Sequence, residues 1–437
     1  MATKFRTKEE DYYGYYKHKY YEISAIGEGR YSLDMGGPSV DILLSAAKLM
    51  RKSTEIRLQQ EISGDADLLQ YGSSLGDPDY RTNVAKFLSS HYQDSVDPES
   101  IFTTCGATIG LSILVSIFFN AGDVIFVEDP TFFRVNQIVR GYGLTVVPIP
   151  LVDDGIEVEM LEKEVKGKRP LDFQPTDQRP FWACMYLMTV YHNPTGICYS
   201  KEKCKALIRL ARDNNILIIC DDVYNLLCFE KNGNAFKRAP PRLFQYDVKA
   251  DDDYFGNVVS NGSFSKVLAP GLRLGWFEAP KVVINQLLLD GRIQGGGSMN
   301  HYTSGIVASS LNTDLFSDHL LMVRSRGKEK LDAILGVFRE RCPEGVKFSI
   351  PTGGYFMWIE LPGSVDIPEL HECCLKNHNI SFHHGVKCSV PGRCQNCIRI
   401  CFMYYSAAEL VTAATKLLEE IEVRLTAVKN VDKADTN

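Results

Sequence analysis

The sequence predicts a layered α/β protein. Short apolar runs of strand length alternate with amphipathic helical stretches, which is the pattern of sheet and helix layers. The central runs are apolar almost throughout, as strands covered on both faces are. A third observation is size, since 437 residues exceed one simple core and fit two domains of ordinary size.

Taken in order, the first residues, MATKFRTKEEDYYGYYKHKYYE, lack the apolar core of a secretory signal, and their acids disfavour a mitochondrial presequence. The expected location is the cytoplasm, where thirteen cysteines are read as reduced thiols. Asp77-Pro78 reads as an N-cap followed by proline at the first helical position, ahead of Val84, Phe87 and Leu88. Residues 101–104 form a short strand, Gly106-Ala107-Thr108 a turn of small residues, and residues 109–119 a helix. That helix is the most apolar stretch, yet it holds Ser112 and Ser116 and is too short to span a bilayer. Strands follow at 124–127, 144–149, 182–188 and 216–220, with weaker ones at 258–262 and 274–277. Helices at 157–165 and 200–212 lie between them.

After about residue 315 the texture changes. A charged helix over 317–341 leads to a Pro-Thr-Gly-Gly turn and a strand at 355–361. A helix at 367–378, strands near 380–382 and 398–403, and an amphipathic helix over 407–428 complete the chain. The division expected is an N-terminal segment, 1–40, packing with the small domain, a large domain, 41–315, and a small α+β domain, 316–437. With 45% hydrophobic and 23% charged residues and a formal net charge of −6, the chain lacks the basic footprint of a general nucleic-acid binder. No membrane partner is expected either.

Three segments carry chemistry. In residues 260–276, SNGSFSKVLAPGLRLGW, Lys266 sits in a loop of turn-forming residues with the hydroxyls of Ser263 and Ser265 and the guanidinium of Arg273. A lysine that condenses with an aldehyde needs a pocket lowering its pKa, and a phosphorylated aldehyde needs donors and positive charge nearby. A surface lysine in a turn beside an unrelated arginine is the bland alternative. Tyr191-His-Asn-Pro-Thr-Gly196 follows a strand, where α/β sheets bind ligands, and Asn193 offers an amide donor. Cys220-Asp-Asp-Val-Tyr224 ends another strand with a carboxylate suited to holding a pyridine nitrogen protonated, although a helix cap reads equally well.

Together these segments resemble the fold-type I pyridoxal-phosphate enzymes, specifically the class I/II aminotransferases of the 2-aminoadipate, kynurenine and aromatic subgroup. The resemblance runs from Gly36-Gly37-Pro38 to Arg399, with the three segments in the family's order and at compatible separations. It implies a mixed, mostly parallel seven-stranded sheet between helices in the large domain. It implies pyridoxal 5'-phosphate as cofactor, with an amino acid and a 2-oxo acid as substrates. Lys266 then matches the lysine of the internal aldimine, which later moves the substrate's α-proton. Asp221 matches the partner of the pyridine nitrogen, while Tyr224 and Asn193 match donors to the phenolic oxygen. Gly106, Ala107 and Thr108 match the phosphate cup, completed by Ser263, Ser265 and Arg273. Phe132 stands where the family usually stacks a tyrosine on the cofactor ring. Arg399 matches the arginine that grips the substrate carboxylate, and Gly37 a glycine of the mobile segment beside the substrate. Tyr71 matches a tyrosine reaching the neighbouring subunit's phosphate, which implies a homodimer with shared sites.

The departure from the family pattern is the loop before Arg399, which carries Cys388, Cys394, Cys397 and Cys401. Plain thiols are expected there rather than a metal site or a redox-active Cys-x-x-Cys. His192 is expected to sit behind the site, and one or both of His383 and His384 to face solvent. Two other activities fit the same scaffold: a pyridoxal-phosphate-dependent lyase or decarboxylase, and a non-catalytic regulatory protein that retains the cofactor.

Overall fold

The computed structural model describes residues 29–297 and 299–434, with side chains to residue 427. The greater part of the expected N-terminal segment, residues 1–28, lies outside the described residues. The chain enters through β1 (Tyr31–Ser32) and the helix Val40–Ser63. The main sheet begins with β2 (Ile101–Thr104), β3 (Val124–Asp129), β4 (Thr145–Val152), β5 (Gly155–Ile156), β6 (Ala183–Leu187) and β7 (Ile216–Asp221). A small hairpin, β8 (Lys231–Asn232) and β9 (Ala235–Phe236), precedes the last two strands, β10 (Val258–Ser263) and β11 (Gly275–Glu278).

The order across the sheet is β2-β11-β10-β7-β6-β3-β4-β5. From β10 to β4 all neighbours are parallel, whereas β2–β11, β10–β11 and β4–β5 are antiparallel. The sheet thus has eight strands, not the seven expected. The additional one is β5, two residues long and formed by a turn back on β4, too short to carry an alternating pattern in the sequence.

Strand β7 shows why the sheet is covered on both faces. Leu217 and Ile219 enter one apolar cluster with Val127, Tyr186 and Val259, while Ile216, Ile218 and Cys220 enter a second with Leu161, Leu207 and Val258. Each such side chain, taken from water, contributes roughly 1.5–3 kcal/mol. The helices Val158–Lys168 and Lys201–Asn214 bury the second face. The parallel strands therefore deliver their carboxyl ends, Asp129, the loop after Leu187, and Asp221, to one edge.

A second sheet, β12 (Lys347–Phe348), β13 (Phe356–Glu360), β15 (His383–His384) and β16 (Cys397–Cys401), runs in the order β12-β13-β16-β15 and is antiparallel throughout. Strand β14 (Ile380–Ser381) pairs in parallel with β1. Leu33 continues that seam, its N–H donating to Ser381 O at 2.8 Å and its carbonyl accepting from Cys401 N at 2.6 Å. The helices Asp314–Arg341, Ile367–His378 and Ala407–Ala434 pack around this sheet. No helix among the described residues is long and apolar enough to cross a membrane.

Candidate active site

Strand β10 ends at Ser263, and three residues later Lys266 turns back over the carboxyl edge of the sheet. Its Nζ donates to the Gly36 carbonyl at 2.6 Å and lies 5.2 Å from the Tyr355 ring centre and 5.9 Å from that of Tyr224. The lysine is half-buried by exposed area, but its amine is enclosed, and burial lowers its pKa to about 8. The thiol of Cys401 and the carboxyl of Asp221 pull it up, while Arg399 and Arg273 push it down.

Asp221 ends β7, and its neighbour across the ladder is Asn261 of β10. One carboxyl oxygen, Oδ2, accepts from the Tyr186 hydroxyl. The other, Oδ1, is buried with no hydrogen-bond partner. Burial raises the Asp221 pKa to about 7, against the Tyr186 hydrogen bond, which lowers it. A buried acceptor left empty is costly, and a cationic N–H would satisfy it.

An anion cradle lies at the start of the helix Ala107–Phe118. Gly106 caps that helix at φ +87°, and no side chain caps it. A Cβ on Gly106 would lie 3.4 Å from Arg273 Nη2 and 3.7 Å from Ser263 Oγ, so those groups meet around the helix N-terminus. Ser263 Oγ donates to Ser265 Oγ at 3.0 Å and accepts from Ser265 N at 3.1 Å. The Ala107 carbonyl accepts from Asn261 Nδ2 at 2.9 Å, and Thr108 is exposed in the first turn. Helix amides, two hydroxyls and a guanidinium are the donor set of a phosphate.

Arg399 comes from the other sheet. It sits mid-strand in β16, opposite Trp358 on one side and His383 on the other. The side chain is buried; Nη1 donates to Asn193 Oδ1 at 3.0 Å and Nη2 to the Asp34 carbonyl at 3.0 Å. Both acceptors are neutral, and Nε is buried without a partner. Its guanidinium stacks 4.1 Å from the Phe356 ring centre and lies 5.8 Å from that of Phe133. Asn193 is held by a cis bond to Pro194 and also hydrogen-bonds Tyr224, whose phenol burial pushes strongly upward in pKa.

Phe132 is half-buried beside Phe133, with ring centres 5.2 Å apart. Gly37 donates to Met35 O at 3.0 Å, next to the Gly36 carbonyl that holds Lys266. Tyr71 is not brought to this chain's own site; it is 79% exposed.

Several contributors escape sequence reasoning. Tyr186 lies inside an apolar strand, so its hydroxyl gives no signal there. Behind Asn193, His192 Nε2 contacts Glu128 Oε2 at 3.1 Å, and Glu128 Oε1 accepts from Tyr199 Oη at 2.6 Å and Met188 N at 2.9 Å. The Asp34 and Gly36 carbonyls act through backbone alone. Of the two histidines of β15, His383 is buried, its ring 4.6 Å from Phe133, and burial drives its pKa down to about 2. His384 is half-buried. Cys388, Cys397 and Cys401 are buried and Cys394 half-buried, all as free thiols. Among the described residues no group of three or more His, Cys, Asp and Glu could hold a metal ion.

The family model for aminotransferase class I and II matches residues 29–417. The chain belongs to that family. It is 27% identical to aromatic-amino-acid aminotransferase 1 of Thermococcus litoralis, over 82% of this chain and 81% of that one. It is 26% identical to 2-aminoadipate transaminase of Thermus thermophilus, over 84% of this chain and 82% of that one. Among solved structures, a kynurenine aminotransferase from Pyrococcus horikoshii superposes with a TM-score of 0.75 at 25% identity, covering 91% of this chain and 92% of that one. Pyridoxal-phosphate-dependent transamination is the chemistry of this aminotransferase, and the lyase, decarboxylase and regulatory alternatives are not favoured. The residues fit the cofactor: an empty buried acceptor at Asp221, an anion cradle around Gly106, and an amine of lowered pKa at Lys266.

Proposed function

We propose that this aminotransferase takes its amino group from an L-amino acid with a long acidic or an aromatic side chain, such as 2-aminoadipate, and gives it to a 2-oxo acid. The observation that carries the reading is Arg399, a buried guanidinium with only neutral acceptors and a free Nε. Such a group is poorly compensated until an anion arrives, and a planar fork suits a carboxylate. The rings of Phe133 and Phe356 beside it supply apolar surface for a substrate's carbon skeleton.

The cofactor, when bound, supplies an electron sink for the charge left when the substrate's α-proton departs. Asp221 Oδ1 would accept from the pyridine nitrogen, and Tyr186 would keep the carboxyl fixed through Oδ2. Gly106, Ala107, Thr108, Ser263, Ser265 and Arg273 would hold the phosphate, and Phe132 would cover the ring. Tyr224 and Asn193 would donate to the phenolic oxygen. Lys266 Nζ, held by the Gly36 carbonyl, would take the α-proton and return it at the cofactor's aldehyde carbon, on the far side of the amino nitrogen. Arg399 would fix the carboxylate and thereby set which bond at the α-carbon breaks, with Gly37 alongside.

We further propose a homodimer in which Tyr71 reaches the neighbouring subunit's phosphate site; its exposure supports that reading. The proposed location is the cytoplasm, in keeping with thirteen cysteines and no disulfide. The proposed division of the chain is 1–40, 41–315 and 316–437. The deciding experiment adds single L-amino acids, without acceptor, to purified protein loaded with pyridoxal phosphate. Absorbance should report conversion to the aminated cofactor with 2-aminoadipate or an aromatic donor, and return on adding a 2-oxo acid. Conversion by neither class overturns the substrate assignment.

A further inference from the structure

The cysteine-bearing loop touches the site at both ends. Cys388 O accepts from Thr131 N at 2.8 Å, and Arg393 Nε lies 3.4 Å from Asp129 Oδ2, so the loop rests on the segment that carries Phe132 and Phe133. Cys397 opens β16 two residues before Arg399. Between them, Cys394 and Cys397 are the ends of a four-residue turn closed by Cys397 N donating to Cys394 O at 3.2 Å. Such a turn holds its end Cα atoms within about 7 Å, and a disulfide spans roughly 4.4–6.8 Å. The turn packs on Gly385, where a Cβ would stand 2.7 Å from Cys397 Cβ and 2.8 Å from the Cys394 carbonyl oxygen.

The two sulfurs are not equivalent. Cys394 is half-buried and within reach of solvent; Cys397 is 6% exposed. The neighbouring Cys397 side chain lowers the Cys394 pKa below the usual thiol range, against burial and the Asp129 carboxylate, which raise it, and with a smaller contribution from the Arg393 charge. A partly exposed, stabilised thiolate with a buried partner next to it is the arrangement of an attacking and a resolving cysteine.

We propose that Cys394 and Cys397 form a reversible redox site that accepts a low-molecular-weight disulfide such as glutathione disulfide and couples its oxidation to substrate-carboxylate binding. The Cys394 thiolate attacks one sulfur of the small disulfide, whose S–S bond breaks and releases one thiolate. Cys397 then loses its proton to solvent and its sulfur attacks that of Cys394, expelling the second thiolate. Two protein thiols are oxidised and one small disulfide is reduced to two thiols. The new bond stiffens the turn between Arg393 and Arg399, and so bears on both the Asp129 contact and the guanidinium.

The test exposes holoenzyme to glutathione disulfide and digests it with trypsin. Cleavage after Arg393 and Arg399 isolates both cysteines in one peptide free of any other. The expected product is that peptide short of two hydrogens, restored by dithiothreitol. Cys397→Ser should trap a glutathione adduct on Cys394, and Cys394→Ser should yield neither product. Unmodified thiols, or separate stable adducts on both cysteines of the unsubstituted protein, overturn the redox site. These mass readouts do not depend on the transamination reading. The coupling does: oxidation should raise the KM for the amino donor severalfold, reversibly, and leave Cys394→Ser unchanged. Equal KM for the oxidised and reduced forms overturns the coupling.

Discussion

At Lys266 opposing influences act on one proton. Burial and the charges of Arg399 and Arg273 expel it, Cys401 and Asp221 retain it, and the balance stands at about 8 rather than the 10.5 of a free lysine. Only the neutral amine attacks an aldehyde, so capture of pyridoxal phosphate by cofactor-free protein should speed up about tenfold per pH unit below 8 and level off above it. Rapid-mixing absorbance measures this, and a midpoint near 10 would contradict it. Asp221 carries the reverse burden. Its folded pKa, about 7, lies above the unfolded carboxyl value, so the folded state binds the proton more tightly. The resulting cost is absent below about pH 4, grows between about 4 and 7, and is complete above 7, reaching up to ~4 kcal/mol. Asp221→Asn keeps an acceptor for Tyr186 and removes the charge. Without cofactor it should therefore melt at a higher temperature than the parent at pH 8, with the difference vanishing near pH 4. No difference at pH 8 would mean that the carboxylate is already compensated.

Two helices near the amino end show what is written locally and what is not. Pro78–Tyr92 announces itself: Asp77 Oδ1 accepts from Tyr80 N at 2.8 Å, with proline at the first position. The helix Val40–Ser63 does not. Its buried stripe runs Ile42, Ala46, Leu49, Ser53, Arg57, Glu61, so the period is helical but half of it is polar. Arg57 is compensated within its own helix by Glu61 at 2.6 Å, and from distant sequence by Asp79 at 3.2 Å and Asp77 at 3.4 Å. No reading of apolar periodicity finds such a stripe. The same holds in the site. Lys266, Asp221, Asn193 and Arg399 are legible because their chemistry stands in short motifs, whereas Tyr186, Glu128 and the Gly36 carbonyl matter only through neighbours that folding supplies. Asp77 joins both kinds of information, as a cap and as a partner of Arg57. Asp77→Ala should destabilise the protein by about 1–3 kcal/mol, a lost cap plus a lost buried partner, read as a lower urea midpoint. A loss below about 0.5 kcal/mol would show that Asp79 and Glu61 suffice for Arg57.

On the scale of the molecule, the site is a meeting of two sheets. Lys266 and Asp221 belong to the large sheet and Arg399 to the small one, and the hydrogen bond from Arg399 to Asn193 joins them. The segment after β1 lies between, offering its carbonyls at Asp34 and Gly36 to Arg399 and Lys266. Among the expected ligands, Tyr71 stands 79% exposed. If a second copy completes the site, two defective chains must complement each other. A dimer of a Lys266→Ala chain and a Tyr71→Ala chain holds one site with both defects and one with neither. Random pairing of equal amounts makes half the dimers mixed, so about a quarter of all sites should be intact. Unfolding and refolding the two variants together should then recover about that share of turnover, above the sum of the variants refolded apart. If Tyr71 served its own chain, each mixed dimer would carry one defect in each site and no recovery would follow. That outcome would remove the shared site while leaving the roles of Lys266 and Arg399 untouched.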